Sequence, residues 1–234
     1  MHKFLSDNPA ISAIVASATL IALISVSYFL FEPMISYGAT DSFTITQQVT
    51  SELSFKTAPN NVTMTPSIPG LTGGTALGTS TFNIATNNPT GYNVTIQFSS
   101  TTAMRNESAT SSSVIHNYTP SVGGTPDYNF SVGANTGEFG YTVNDVTSPT
   151  AISSLFKDNG SACNGGFTGT TVGKCWYNVA NATTPVTIIN DATSTASTGA
   201  TSTVVFQVQI TSNPSPAIET GFYQATATLT AVTN

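Results

Sequence analysis

Residues 41–56 read DSFTITQQVTSELSFK, and the spacing of their side chains decides the class of fold. Phe43, Ile45, Val49, Leu53 and Phe55 fall on odd positions, whereas Ser42, Thr44, Thr46, Thr50 and Ser54 fall on even ones. A period of two marks a strand with one buried face, because successive side chains leave a pleated backbone on opposite sides. Fully extended, the stretch would reach on the order of 50 Å, two to three times an ordinary strand. It must fold back into two strands or leave part of itself outside its own domain. Gln47-Gln48 and Thr50-Ser51 offer no glycine or proline for a tight reversal. Residues 41–56 are therefore read as a candidate donor strand. Phe43, Ile45 and Val49 are the assembly residues, entering an apolar groove of a neighbouring copy while the backbone pairs with that copy's edge. The alternative is a first strand of the chain's own sheet.

The same alternation recurs downstream. Phe82 and Ile84 lead into Thr86-Asn87-Asn88-Pro89-Thr90-Gly91, and Tyr92, Val94, Ile96 and Phe98 lead out, which predicts a hairpin. A second hairpin is expected from Tyr128, Phe130 and Val132 with Phe139, Tyr141 and Val143. Strands are expected at 185–189, 204–210 and 223–231, a helical turn at 153–157, and loops at 66–78 and 99–113. The expectation is an all-β protein, an antiparallel β-sandwich of about eight to ten strands with Greek-key or jelly-roll connections, forming one domain over residues 40–234.

Ahead of that domain, residues 1–39 have the form of an export segment. Lys3 precedes a run from Ile11 to Phe31 that is apolar apart from Ser and Thr, then Pro33 and the small residues Ser36, Gly38 and Ala39. Cleavage after Gly38 or Ala39 is expected. The run is also long enough to span a bilayer, so a retained anchor and a retained assembly helix stay open, although no Lys-Gly or Arg-Gly processing junction precedes it. Removing residues 1–39 takes away Lys3, Asp7 and Glu32 and moves the net charge from −6 to −5. Charged residues are only 7% of the chain, and Thr, Ser, Asn and Gly supply the polar surface. So few basic residues leave no footprint for nucleic acid or anionic lipid. An extracellular, cell-surface location is expected.

Candidate chemistry is sparse. His116 is the only histidine after the export segment, and no G-x-S-x-G elbow accompanies it. Acidic residues are scattered, and Asn144-Asp145 and Asp158-Asn159-Gly160 match no EF-hand spacing. No catalytic residue, metal or cofactor is expected, and the chain is read as no enzyme. Cys163 and Cys175 flank a loop holding Gly165, Gly166, Gly169 and Gly173; in an exported chain with two cysteines, a disulfide pinning that exposed loop is expected. Tyr118, Tyr128, Trp176 and Tyr177 lie beside Asn- and Gly-rich loops, either as sugar-stacking rings or as packing residues, with Trp176 over the disulfide.

The series DSFTITQQVTSELSF, ATNNPTGYNVTI, PDYNFSV, EFGYTV, DNGSACNGG with KCW, VTIIN and GFYQATATLTAVTN resembles a family of uncharacterised secreted β-sandwich surface proteins of small-genome bacteria. More loosely, a signal segment, an alternating strand and a closing alternating strand are similar to camelysin/TasA-type fibre proteins and donor-strand pilins. The His-Glu-x-x-His motif of metalloproteases does not occur, so protease activity does not carry over. The resemblance implies a structural subunit of an extracellular fibre, pilus or coat, with itself as partner. The alternative is a monomeric adhesin or carbohydrate-binding module recognising surface glycans.

Overall fold

A computed structural model of the chain describes residues 7–31, 38–100, 103–108, 113–145, 151–179 and 184–234, the side chain of Asp145 excepted. Two units are distinguished, Met1–Gln48 and Val49–Asn234. The expected residues at the cleavage region up to Tyr37 lie outside the described set. In the first unit, helix α1 spans Pro9–Phe31 and is long and apolar enough to cross a membrane. Its hydroxyls do not interrupt it, because Ser17, Thr19 and Ser27 donate to the carbonyls of Ile14, Val15 and Ile24 one turn back. Residues 38–48 carry neither helix nor strand and are exposed.

The second unit is an all-β sandwich. Its strands are β1 (Leu53–Thr57), β2 (Gly74–Thr86), β3 (Tyr92–Phe98), β4 (Met104–Asn106), β5 (Val114–Asn117), β6 (Gly137–Asp145), β7 (Tyr177–Asn178), β8 (Val186–Asp191), β9 (Ala200–Ile210), β10 (Tyr223–Gln224) and β11 (Ala227–Thr233). One sheet has eight strands in the order β1-β2-β9-β6-β5-β4-β10, with β7 beside β6; the other is β11-β3-β8. All pairs are antiparallel except β5 with β6.

Strand β9 lies inside the large sheet between β2 and β6, and its inward face is apolar from Val204 to Ile210. Val204, Phe206, Val208 and Ile210 are buried, while Thr203, Val205, Gln207 and Gln209 are half-buried on the other face. It pairs with β2 from Gly74–Ile210 to Ile84–Ala200 and with β6 from Gly137–Ile210 to Asp145–Ser202. Tyr92, Val94, Ile96 and Phe98 of β3 face it from the opposite sheet in one continuous core. Phe98 meets Phe139 edge-on at 6.2 Å, and Phe139 stacks on Phe206 at 5.9 Å.

Several expected elements differ. The predicted hairpin at 86–91 is an arch: β2 belongs to the large sheet and β3 to the small one. Alternation says which side chains are buried, and two strands that bury their apolar faces against each other satisfy it as well as two that share a sheet. The expected loop at 66–78 contains the start of β2, where Gly78 is a packing gap rather than a breaker. A Cβ there would lie 2.4 Å from Val62 Cγ1 and 2.8 Å from Met64 Sδ. Residues 128–132 form no strand; Phe130 instead stacks on Tyr118 at 4.3 Å. The expected connection at 99–113 holds β4, with Ala103 and Met104 in the core. The closing run 223–231 divides between two sheets at Ala225-Thr226, giving β10 and β11. The helical turn appears as a 3-10 turn at Ser154–Phe156.

Candidate functional site

Two candidate surfaces are described separately: the alternating segment at 41–56 and, within the β unit, the edge strand β11 with a cleft beside it. Only the end of the segment enters a ladder: Leu53, Ser54 and Phe55 of β1 pair with Thr86, Ala85 and Ile84 of β2. Asn87 holds the entry to β1, donating from Nδ2 to the Thr50 carbonyl at 3.0 Å and accepting the Glu52 N–H at 2.7 Å. Thr86, buried at the arch, donates its hydroxyl to the Glu52 carbonyl. Upstream of this clamp the backbone carries no strand. Phe43, Ile45 and Val49, the expected assembly residues, are 85%, 83% and 81% exposed. The strand expected over 41–56 is therefore β1 alone, preceded by an exposed alternating segment.

Strand β11 is the outermost strand of the small sheet, with β3 on one side and no ladder partner on the other among the described residues. Natural edge strands are usually blunted by lysine, proline or a bulge. The sequence ATLTAVT of β11 has no charge and no proline, and its pairing with β3 runs without a break from Ala227–Phe98 to Thr233–Tyr92. Leu229 and Ala231 are half-buried, whereas Thr228, Thr230 and Val232 face outward. Next to the beginning of β11 the two sheets part to leave a cleft of about 260 Å³. Its lining joins buried Ile96, Phe98, Phe139, Val204 and Phe206 to Asn60, Asn61, Gln224 and Thr226.

The cysteines are bonded, with Cα atoms 5.8 Å apart. The bridge does not merely pin an exposed loop: Cys163 and Cys175 are buried and belong to the hydrophobic core, while Gly165, Gly166 and Val172 of the loop they close are exposed. Asp158 organises that loop from inside. Its side chain is 2% exposed, with Oδ1 accepting from the Gly160 N–H and the Thr171 hydroxyl and Oδ2 from the Thr171 N–H at 2.7 Å. Burial by itself would push this carboxyl up; the donors from Thr171 and Gly160 outweigh it and hold it below the usual carboxylate range. Both oxygens are thus engaged by protein donors. The other oxygen candidate, Asn144, accepts from the Gly173 N–H.

Two of the rings considered for sugar stacking are core residues. Trp176 is buried, meets Phe130 edge-on at 5.3 Å and donates its indole N–H to the Gly173 carbonyl. Tyr118 is buried and donates to Asp127 at 2.7 Å, its phenol pushed up by burial first and then by that bond. Tyr128 is half-buried with the Lys174 ammonium 4.9 Å over its ring, and Tyr177 packs edge-on against Tyr141 and Phe156. His116 is exposed on β5, in register with Glu138 of β6. Burial raises the Glu138 carboxyl, and the Thr119 N–H and His116 partly offset that.

Alternation in the sequence marked the exposed segment, and the neutral composition of β11 was equally available there. The cleft was not, because its floor joins β3, β6 and β9 from two sheets. Compared with family models, with curated proteins and with solved structures, the chain shows no match.

Proposed function

We propose that the protein is an exported structural subunit of an extracellular fibre, pilus or coat, assembled from copies of itself through its N-terminal segment. The observation that carries this reading is the exposure of Phe43, Ile45 and Val49 on an alternating, uncharged stretch that joins no ladder. Three large apolar side chains in strand register, left in solvent, are an interaction surface in waiting. An apolar helix at the N-terminus and a disulfide in the β-domain fit an exported chain. The small, β-branched, sparsely charged surface suits repeated packing of like subunits better than capture of a charged partner.

Deleting residues 41–48 tests the reading, since it leaves all of Val49–Asn234 and the Asn87 clamp in place. Negative-stain microscopy of material shed from cells or purified from them should show filaments or sheets for the intact chain and none for the deletion. A protein that stays monomeric at high concentration with residues 41–48 present, and that is retained on a glycan array, would instead be a binding module.

A further inference from the structure

We propose that Asn164 is a site of spontaneous covalent modification, at which the Gly165 nitrogen attacks the side-chain amide, and that the same fold protects Asn159. These two asparagines begin the chain's two Asn-Gly pairs, and both stand beside Cys163 at the root of the disulfide loop. An Asn-Gly pair is the reactive one because glycine has no side chain to hinder its nitrogen. The reaction needs no catalyst and no oxidant. Gly165 N bonds to Asn164 Cγ, the bond from Cγ to Nδ2 breaks, and ammonia leaves with the Gly165 amide proton. Water then opens the five-membered imide at either carbonyl, giving aspartate or isoaspartate.

Local structure calls for both residues of the reactive pair. Asn164 has a φ of 58°, in the left-handed region where asparagine is one of the few side chains at ease. At position 165 a Cβ would lie 2.4 Å from Phe167 Cζ, so only glycine fits under that ring. Residues 164, 165 and 166 are exposed to water. The Asn164 backbone N–H donates to the Lys157 carbonyl at 3.1 Å, but no hydrogen bond holds its side chain or the Gly165 N–H. The other pair is held at both reacting ends. The Gly160 N–H donates to Asp158 Oδ1 at 2.8 Å, and Asn159 Oδ1 accepts from the N–H groups of Ser161 and Ala162 and from the Ser161 hydroxyl. To react, Gly160 N must leave a buried carboxylate and the Asn159 amide must leave three donors. Conversion at Asn164 puts a negative charge, or with isoaspartate an extra main-chain carbon, into residues 164–173, which carry no charge.

The test follows the purified full chain through incubation in mildly alkaline buffer, which favours loss of the glycine amide proton, with peptide mapping by mass spectrometry to separate the two sites. In the folded protein Asn164 should convert at least about tenfold faster than Asn159, the factor expected when several hydrogen bonds must open first. In urea with the disulfide reduced, the two rates should draw together, because the protection of Asn159 belongs to the fold. Asn164→Ala should remove the fast conversion and leave the slow one. Equal rates at the two sites in the folded chain, or faster conversion at Asn159, would overturn the proposal. So would an Asn164 that converts in urea and stays intact in the folded protein.

Discussion

Asp158 shows how much a single side chain can carry in a protein with so few charges. Its carboxylate is the internal cap of the disulfide loop, and its acidity is held down by Thr171 and Gly160. A carboxyl lowered in the folded state contributes stability above the unfolded-state pKa of about 3.9, and that stability is lost as pH falls through the folded value. Asp158→Asn presents an amide to donors that need an acceptor. It should cost about 1–3 kcal/mol at neutral pH and flatten the stability profile below about pH 4. Urea titrations followed by Trp176 fluorescence at neutral and acid pH check this, and equal midpoints at neutral pH would refute it. Cys163→Ser with Cys175→Ser should cost roughly 3 kcal/mol by the chain-entropy argument for so short a loop. Because both sulfurs are buried, the loss should exceed that figure if the hydroxyls find no partner, as calorimetry would register. From the sequence, the cysteines read as a pair. Their burial did not read, because a glycine-rich loop looks the same whether its root lies on the surface or in the core.

Among the elements, β2 and β11 depart furthest from local expectation. Gly78 stands where the flanking glycines and prolines read as loop, yet it lets β2 run for 13 residues under Val62 and Met64. Gly78→Val should therefore cost about 1–3 kcal/mol through overpacking, although valine favours strands intrinsically. A denaturant midpoint unchanged or raised would show that the segment at 62–64 yields freely. Strand β11 was legible as a strand and illegible as an edge, since pairing with β3 and the lack of a second partner are tertiary facts. Thr228→Lys places on that edge the charge other proteins use there. It should leave folding stability within about 0.5 kcal/mol, as expected for an exposed site. Denaturant midpoints of the two proteins check this, and a loss of more than about 1 kcal/mol would show that the edge is covered.

At the scale of the whole molecule, the exposed apolar residues of the N-terminal segment would set the energetics of the proposed association. Burying Phe43, Ile45 and Val49 in a neighbour contributes about 1.5–3 kcal/mol each before the cost of ordering the segment and the subunits. Phe43→Ser with Ile45→Ser should raise the critical concentration for assembly at least a hundredfold, measured by sedimentation, while the melting temperature of the β-domain stays unchanged. A melting temperature that falls instead would place those side chains in their own domain's core. The sequence by itself determined the all-β class, the apolar helix at Pro9–Phe31, the cysteine pair and the inward residues of β3 and β9, because each follows from local spacing and hydropathy. The tertiary structure alone decided that the arch at 86–91 joins two sheets and that the closing run splits into β10 and β11. It also decided that a cleft opens beside a free edge. A period of two specifies which side of a strand is buried, and it is silent on which strand lies alongside; that choice is made by long-range packing of both faces at once.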